Sequence, residues 1–218
     1  MTTPKAKLAG LALIAALCAV VVLGLTACAD ERARTGAETP PAEATFNAGA
    51  AAYKRGDYVT ALREWRPLAE QGHAKAQYSL GNMYSKGRGV PQDNAEAVKW
   101  YRKAAEQGVV QAQNNLGNMY ENGRGVPQDY AEALQWYRKA AEQEHASAQN
   151  NLGNMYKFGE GVPQDYAQAH MWFNLAASGF PRGEDRDKAV KNRDKVAKRM
   201  TPAQIAEAEK LARQWKLK

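Results

Sequence analysis

The chain has 218 residues, 44% of them hydrophobic, and a mean hydropathy of −0.63. That is enough apolar material for one packed domain, and too polar a chain for a multi-span membrane protein. The formal net charge of +7 is uneven: residues 28–179 hold sixteen basic and seventeen acidic side chains, and residues 180–218 hold twelve and six.

Lys5 and Lys7 precede an apolar run from Leu8 to Leu25, the charged-then-apolar order of an export signal. The run ends Leu25-Thr26-Ala27-Cys28. This resembles the bacterial lipoprotein signal, in which a small residue precedes a cysteine that is lipidated and becomes the new N-terminus. The resemblance implies a signal peptide over 1–27 and a lipid on Cys28 that anchors the protein to a membrane, facing the periplasm. Two other readings stay open. Ala27-Cys28-Ala29 also fits an A-x-A cleavage site, which would release a secreted or periplasmic soluble protein. The run is also near the lower length limit for an uncleaved anchor. Ala29 is not the aspartate that holds some lipoproteins at the inner membrane, which points to the outer one. Cys18 lies in the discarded run, so the mature chain would carry no free thiol, disulfide or thiolate metal site. Residues 28–44 contain almost no large apolar side chain and read as a flexible tether.

A period of 36 residues dominates the rest. QYSLGNMY at 77–84 recurs as QNNLGNMY at 113–120 and at 149–156. GRGVPQD follows at 87–93 and 123–129, and GEGVPQD at 159–165. Each is followed by an alanine- and aromatic-rich stretch: AEAVKWYRKAAEQG, AEALQWYRKAAEQE and AQAHMWFNLAASG. Self-similarity at this period signals an all-α solenoid of stacked antiparallel helix pairs. The periodicity predicts a first helix, A, over about 110–122, with Ala112, Gln113, Leu116, Met119 and Tyr120 on one face and Asn114, Asn118 and Glu121 opposite. Gly117, like Gly81 and Gly153, sits mid-helix, which suggests a neighbouring helix too close for a Cβ; Ala97, Ala133 and Ala169 are the candidates for that contact. Gly-x-Gly-Val-Pro turns the chain, and Asp129 starts helix B, which runs to about Gln143. Glu144 stands where the other joints have Gly72 and Gly108, so that joint is expected to differ.

The solenoid spans 45–180, in units 45–72 (degenerate), 73–108, 109–144 and 145–180. The first unit has the short link Gly56-Asp57 and a Pro67 inside its second helix. Residues 181–218 read as two capping helices, about 184–199 and 202–216. Thr201-Pro202-Ala203-Gln204 resembles a capping box, and Ile205, Ala208, Leu211, Ala212 and Trp215 form an apolar stripe. The tail's basic residues are interleaved with acids, as on a solvated helix face, and no nucleic-acid partner is expected.

The motifs A-x-x-x-L-G-x-M-Y (Ala76 to Tyr84 and its copies), G-x-G-V-x-x-D and A-x-x-W-Y-x-K-A-A-x-x-G resemble the Sel1-like repeat family, relatives of tetratricopeptide repeats. The resemblance implies a non-enzymatic adaptor in the cell envelope that binds a protein or peptide partner along the concave side lined by the A helices. The outward residues there are Asn82, Asn118 and Asn154 in one register, Tyr78, Asn114 and Asn150 beside them, and then Ser85, Glu121 and Lys157. A carboxamide donates and accepts at once, so an asparagine ladder can hold a peptide backbone whatever its side chains. The same asparagines could instead bond between neighbouring units. No catalytic residue, metal site or cofactor is expected. The Gly-rich loop lacks the Lys-Ser/Thr of a phosphate-binding loop, and no nucleophile–base pair is visible. His73 and His145 share a repeat position, as helix-start residues do. The competing classes are an envelope hydrolase acting on peptidoglycan or β-lactams and a structural lipoprotein docking on anionic lipid.

Overall fold

The computed structural model describes residues 41–215, which form ten α-helices. They are α1 (Pro41–Lys54), α2 (Tyr58–Glu70), α3 (Ala74–Lys86), α4 (Asn94–Glu106), α5 (Val110–Glu121), α6 (Tyr130–Glu142), α7 (Ala146–Phe158), α8 (Tyr166–Gly179), α9 (Glu184–Ala197) and α10 (Pro202–Trp215). Among the described residues there is no strand. α3/α4, α5/α6 and α7/α8 are the three full helix pairs, and α1/α2 is the shorter-linked first pair. Predicted and observed helix ends agree to within two residues. Pro41–Ala44 are helical, inside the stretch read as tether, while Cys28 and the leader lie outside the described residues.

Each long loop closes its own backbone bonds. Taking the third unit, Arg124 N–H donates to Met119 O at 2.9 Å and Asp129 N–H to Tyr120 O at 3.0 Å. Gln128 Nε2 donates to Glu121 O at 2.7 Å, and Asp129 Oδ1 accepts from the Ala131 and Glu132 amides. The other two loops repeat this set, with Gln92 on Ser85 O and Gln164 on Lys157 O. The loop is therefore a structural hairpin that ends one helix and caps the next. Its second glycine also seats one unit on the last. A Cβ on Gly125 would lie 2.3 Å from the carbonyl of Asn94 at the start of α4, and Gly89 and Gly161 crowd Tyr58 and Tyr130 in the same way.

The helical glycines have a different partner from the predicted one. A Cβ on Gly117 would stand 2.6 Å from the ring of Tyr137, not against Ala133. The same holds for Gly81 with Tyr101, Gly153 with Phe173, and in the first unit Gly49 with Trp65. A bare backbone on helix A receives the flat face of an aromatic on helix B, and this contact sets the spacing within every unit. Tyr137 and Phe173 are fully buried.

Successive units are joined by polar contacts in register. Gln113 Nε2 donates to Ala105 O of the preceding unit at 3.1 Å, and Gln143 Nε2 of its own unit holds it there by donating to Gln113 Oε1 at 2.9 Å. Arg66, Arg102 and Arg138 donate to the hydroxyls of Tyr84, Tyr120 and Tyr156 of the following unit. Glu144 sits at one such joint with φ +59, where Gly72 and Gly108 have φ +96 and +85. A Cβ in that region costs about 1–2 kcal/mol, against about 0.5–1 kcal/mol for the extra freedom a glycine loses. Glu144→Gly is therefore expected to stabilise the chain by about 0.5–1 kcal/mol, read as a thermal midpoint higher by about 2 °C.

α9 and α10 both pack on α8, which explains its sequence. Met171 and Leu175 are buried, whereas their counterparts Lys99, Gln135, Lys103 and Lys139 are exposed. The row of tryptophans shows the same change. Lys103 and Lys139 lie 4.6 and 4.1 Å over the rings of Trp100 and Trp136, but Trp172 is met edge-on by Trp215 at 4.8 Å.

Candidate partner-binding face

The outward register of α3, α5 and α7 carries the residues singled out by sequence. Asn82, Asn118 and Asn154 are half-buried rather than free. Tyr101 donates its hydroxyl proton to Asn82 Oδ1 at 2.8 Å. The Tyr137 hydroxyl lies 2.6 Å from both Asn118 Oδ1 and Glu121 Oε2, one proton facing two acceptors. The fourth unit has Phe173 at this position, so Asn154 receives no such bond. Asn114 is buried; its Oδ1 accepts from Asn151 Nδ2 at 3.3 Å, and Asn118 Oδ1 accepts from the same amide at 3.4 Å, which ties the third unit to the fourth. Asn150 Oδ1 is buried with no donor. Tyr78 packs its ring 6.1 Å from that of Tyr101. The face is thus a row of amides and tyrosines fixed in place before any ligand arrives.

Sequence reading missed the tyrosines. Tyr101 and Tyr137 belong to the aromatic-rich stretch of helix B and are buried, but their hydroxyls reach through to the polar face. The only available signal was that Asn and Tyr recur together while Phe173 breaks the pattern. Burial pushes the Tyr101 hydroxyl up to about 12. Tyr137 is pushed up further, first by burial and then by the charge of Glu121. Both remain protonated donors at any ordinary pH. Burial, with Glu121 as a second cause, raises Glu160 above the usual carboxylate range.

Among the described residues no three His, Cys, Asp or Glu side chains are grouped to hold a metal. His73 and His145 are N-cap residues, at the helix starts as predicted; His73 Nδ1 accepts from Ala76 N–H. His170 is 4% exposed on α8, where the earlier units have Val98 and Leu134, and its Nδ1 has no partner. No helix among the described residues is long and apolar enough to cross a membrane.

His170 gives the fold an acid sensitivity. Burial, followed by the charge of Arg193, lowers its proton affinity below the usual 6.5. Above that pH the imidazole is neutral in both states and neutral to stability. As pH falls below about 6.5 the unfolded chain takes up a proton that the folded chain refuses, and stability drops. His145 is lowered in the same direction, again by burial. His170→Leu, which copies Leu134, is expected to reduce the loss of thermal midpoint between about pH 7 and 5 and leave a remainder from His145.

Residues 74–109, 110–145 and 146–179 each match the Sel1 repeat family model. The chain is a Sel1-like repeat protein. A Sel1 repeat protein from Oxalobacter formigenes superposes with a TM-score of 0.62 at 36% identity, over 68% of this chain and 57% of that one. A protective antigen of uropathogenic Escherichia coli with an SLR fold superposes at 0.55 and 32% identity, over 80% and 45%. Among curated proteins, the exopolysaccharide production negative regulator of Rhizobium leguminosarum bv. viciae is 44% identical over 52 residues, and DAP3-binding cell death enhancer 1 of Mus musculus is 40% identical over 55. These alignments cover 24% and 25% of this chain but only 20% and 11% of the relatives. Sel1-like repeat proteins generally serve as protein-interaction scaffolds.

Proposed function

We propose that this Sel1-like protein is a non-enzymatic adaptor of the bacterial cell envelope, held to a membrane by a lipid on Cys28 and binding a protein partner along the face of α3, α5 and α7. One observation carries the reading. Carboxamides recur at one register in three consecutive units, and in two of them a buried tyrosine holds the oxygen and leaves the Nδ2 donors without a partner among the described residues. Such a row offers aligned donors at little ordering cost, the property that turns shallow contacts into affinity. The leader, with Lys5 and Lys7 before the apolar run to Cys28, supports the envelope placement.

The test must respect the tyrosines. Truncating Asn82 alone would strand the Tyr101 hydroxyl, at about 1–3 kcal/mol, and truncating Asn118 alone would leave the Tyr137 hydroxyl to Glu121. Removing both members of each pair avoids this, and the Phe173 unit is the natural precedent. The variant is therefore Asn82→Ala, Asn118→Ala and Asn154→Ala with Tyr101→Phe and Tyr137→Phe. Tagged protein would be captured from detergent-solubilised native membranes beside this variant, with thermal unfolding as the folding control. A partner held by the parent and lost by the folded variant is the expected result. A partner held equally by both would remove this face from the function, and absence of any partner would redirect attention to hydrolase activity and lipid binding.

A further inference from the structure

The polar face changes sign along the array. At one register position the four units hold Tyr53, Ser85, Glu121 and Lys157. The loop of the next unit reaches back to this position. Arg88 donates to the Tyr53 hydroxyl at 2.6 Å, while Glu160 raises no such bond and instead confronts the like charge of Glu121. Past Lys157 there is no further loop, and the C-terminal end of α9 takes its place. Lys195, Lys198 and Arg199 gather there around Lys157, with Phe158 and Tyr166 as walls, to form a groove of about 550 Å³.

The groove has an unbalanced chemistry. No carboxylate lines it, and none of its four cations enters an ion pair among the described residues. Arg199 donates to the Tyr166 hydroxyl at 3.3 Å, and the Lys157 ammonium sits 4.5 Å from the centre of the Phe158 ring. Phe158 is 59% exposed, one of two large apolar side chains left open among the described residues. Helix ends favour cations, which accounts for Lys157 and Lys195 in the last turns of α7 and α9. It does not account for an open phenylalanine between them, or for the absence of any acid facing them.

We propose that this groove binds an acidic segment of a protein partner, with its carboxylates on Lys157, Lys195, Lys198 and Arg199 and an apolar side chain against Phe158. The proposal rests on the adaptor reading and adds a recognition chemistry and a register to it. A polypeptide fits better than a bilayer for two reasons. Phe158 walls a concave groove, so its apolar partner must enter from within. Glu121 lies one unit back, and Glu160, in the loop of the same unit, confronts it, so an anionic membrane would be repelled there and a segment of alternating charge would be matched.

The full chain would be titrated against a fluorescent synthetic peptide of alternating glutamate and leucine, the same peptide with glutamine for glutamate, and vesicles containing phosphatidylglycerol. Two variants at exposed positions accompany it, Lys195→Glu with Lys198→Glu, and Phe158→Ser, each checked by thermal unfolding. The acidic peptide is expected to bind, to weaken about tenfold in either variant, and to weaken with added salt. Equal binding of the glutamine peptide, indifference to both variants, or sedimentation with vesicles in place of peptide binding would each overturn the proposal. In the capture experiment, a native partner lost by the asparagine–tyrosine variant but kept by the lysine variant would leave the adaptor standing and remove the groove.

Discussion

Gly125→Ala is expected to separate the second unit from the third. Two costs coincide at this residue. Its φ of +74 is a region where a Cβ costs about 1–2 kcal/mol. The new methyl would also stand 2.3 Å from the Asn94 carbonyl and 2.7 Å from the Ala95 amide, main-chain atoms at the start of α4 that cannot turn aside. Overpacking against a fixed neighbour costs about a further 1–3 kcal/mol. The total, about 2–5 kcal/mol, falls on a single interface, because each unit touches only its neighbours. Urea unfolding should show an early transition absent from the parent. The control is Gly123→Ala, two residues earlier. It shares the positive φ of +63, but its new Cβ would meet Gln128 at 3.4 Å, an ordinary distance. That variant should lose only the backbone cost and keep a single transition. Equal losses at the two positions would refute the seating role of the second loop glycine.

The second large effect lies inside a unit, at Gly117 and Tyr137. Tyr137→Ala should cost about 3–5 kcal/mol, as for a fully buried aromatic, since it empties the contact that spaces α5 from α6. Gly117→Ala should also destabilise, by about 1–3 kcal/mol, because the ring 2.6 Å from the new methyl is held by its hydroxyl between Asn118 and Glu121. The informative result is the double variant. With the ring gone, Gly117→Ala should change sign and gain the roughly 1 kcal/mol that alanine is worth over glycine within a helix. The coupling, read by denaturant titration of all four proteins, would thus be about 2–4 kcal/mol. Simple additivity would mean that the ring yields and the recurring glycine has another cause.

The fold was legible because the sequence states it three times. A glycine, a proline and an aspartate at fixed offsets in each copy left little freedom in placing α3 to α8, and a capping box marked α10. Contacts across the hairpin were harder to read. Gly117 announced a close approach, but both Ala133 and Tyr137 lay on the facing helix, and only their relative rotation chooses the tyrosine. The same rotation hides the link between the Tyr137 hydroxyl and Asn118, so the asparagine ladder read as a bare polar stripe. The cationic groove was illegible for a different reason. Lys157 belongs to a repeat and Lys198 to the tail, and no period connects them.

The apolar substitutions on α8 bear on how such a chain can change its length. The joints between the second and third units and between the third and fourth use the same glutamine and arginine contacts, so a copy gained or lost at either would keep those contacts matched. α8 is the exception. Its Met171 and Leu175 are committed to α10, and a unit added after it would meet a surface made for a different neighbour. A copy inserted before α8 would keep its neighbours' contacts and one added after it would not, so the last pair and its cap behave as one structural piece.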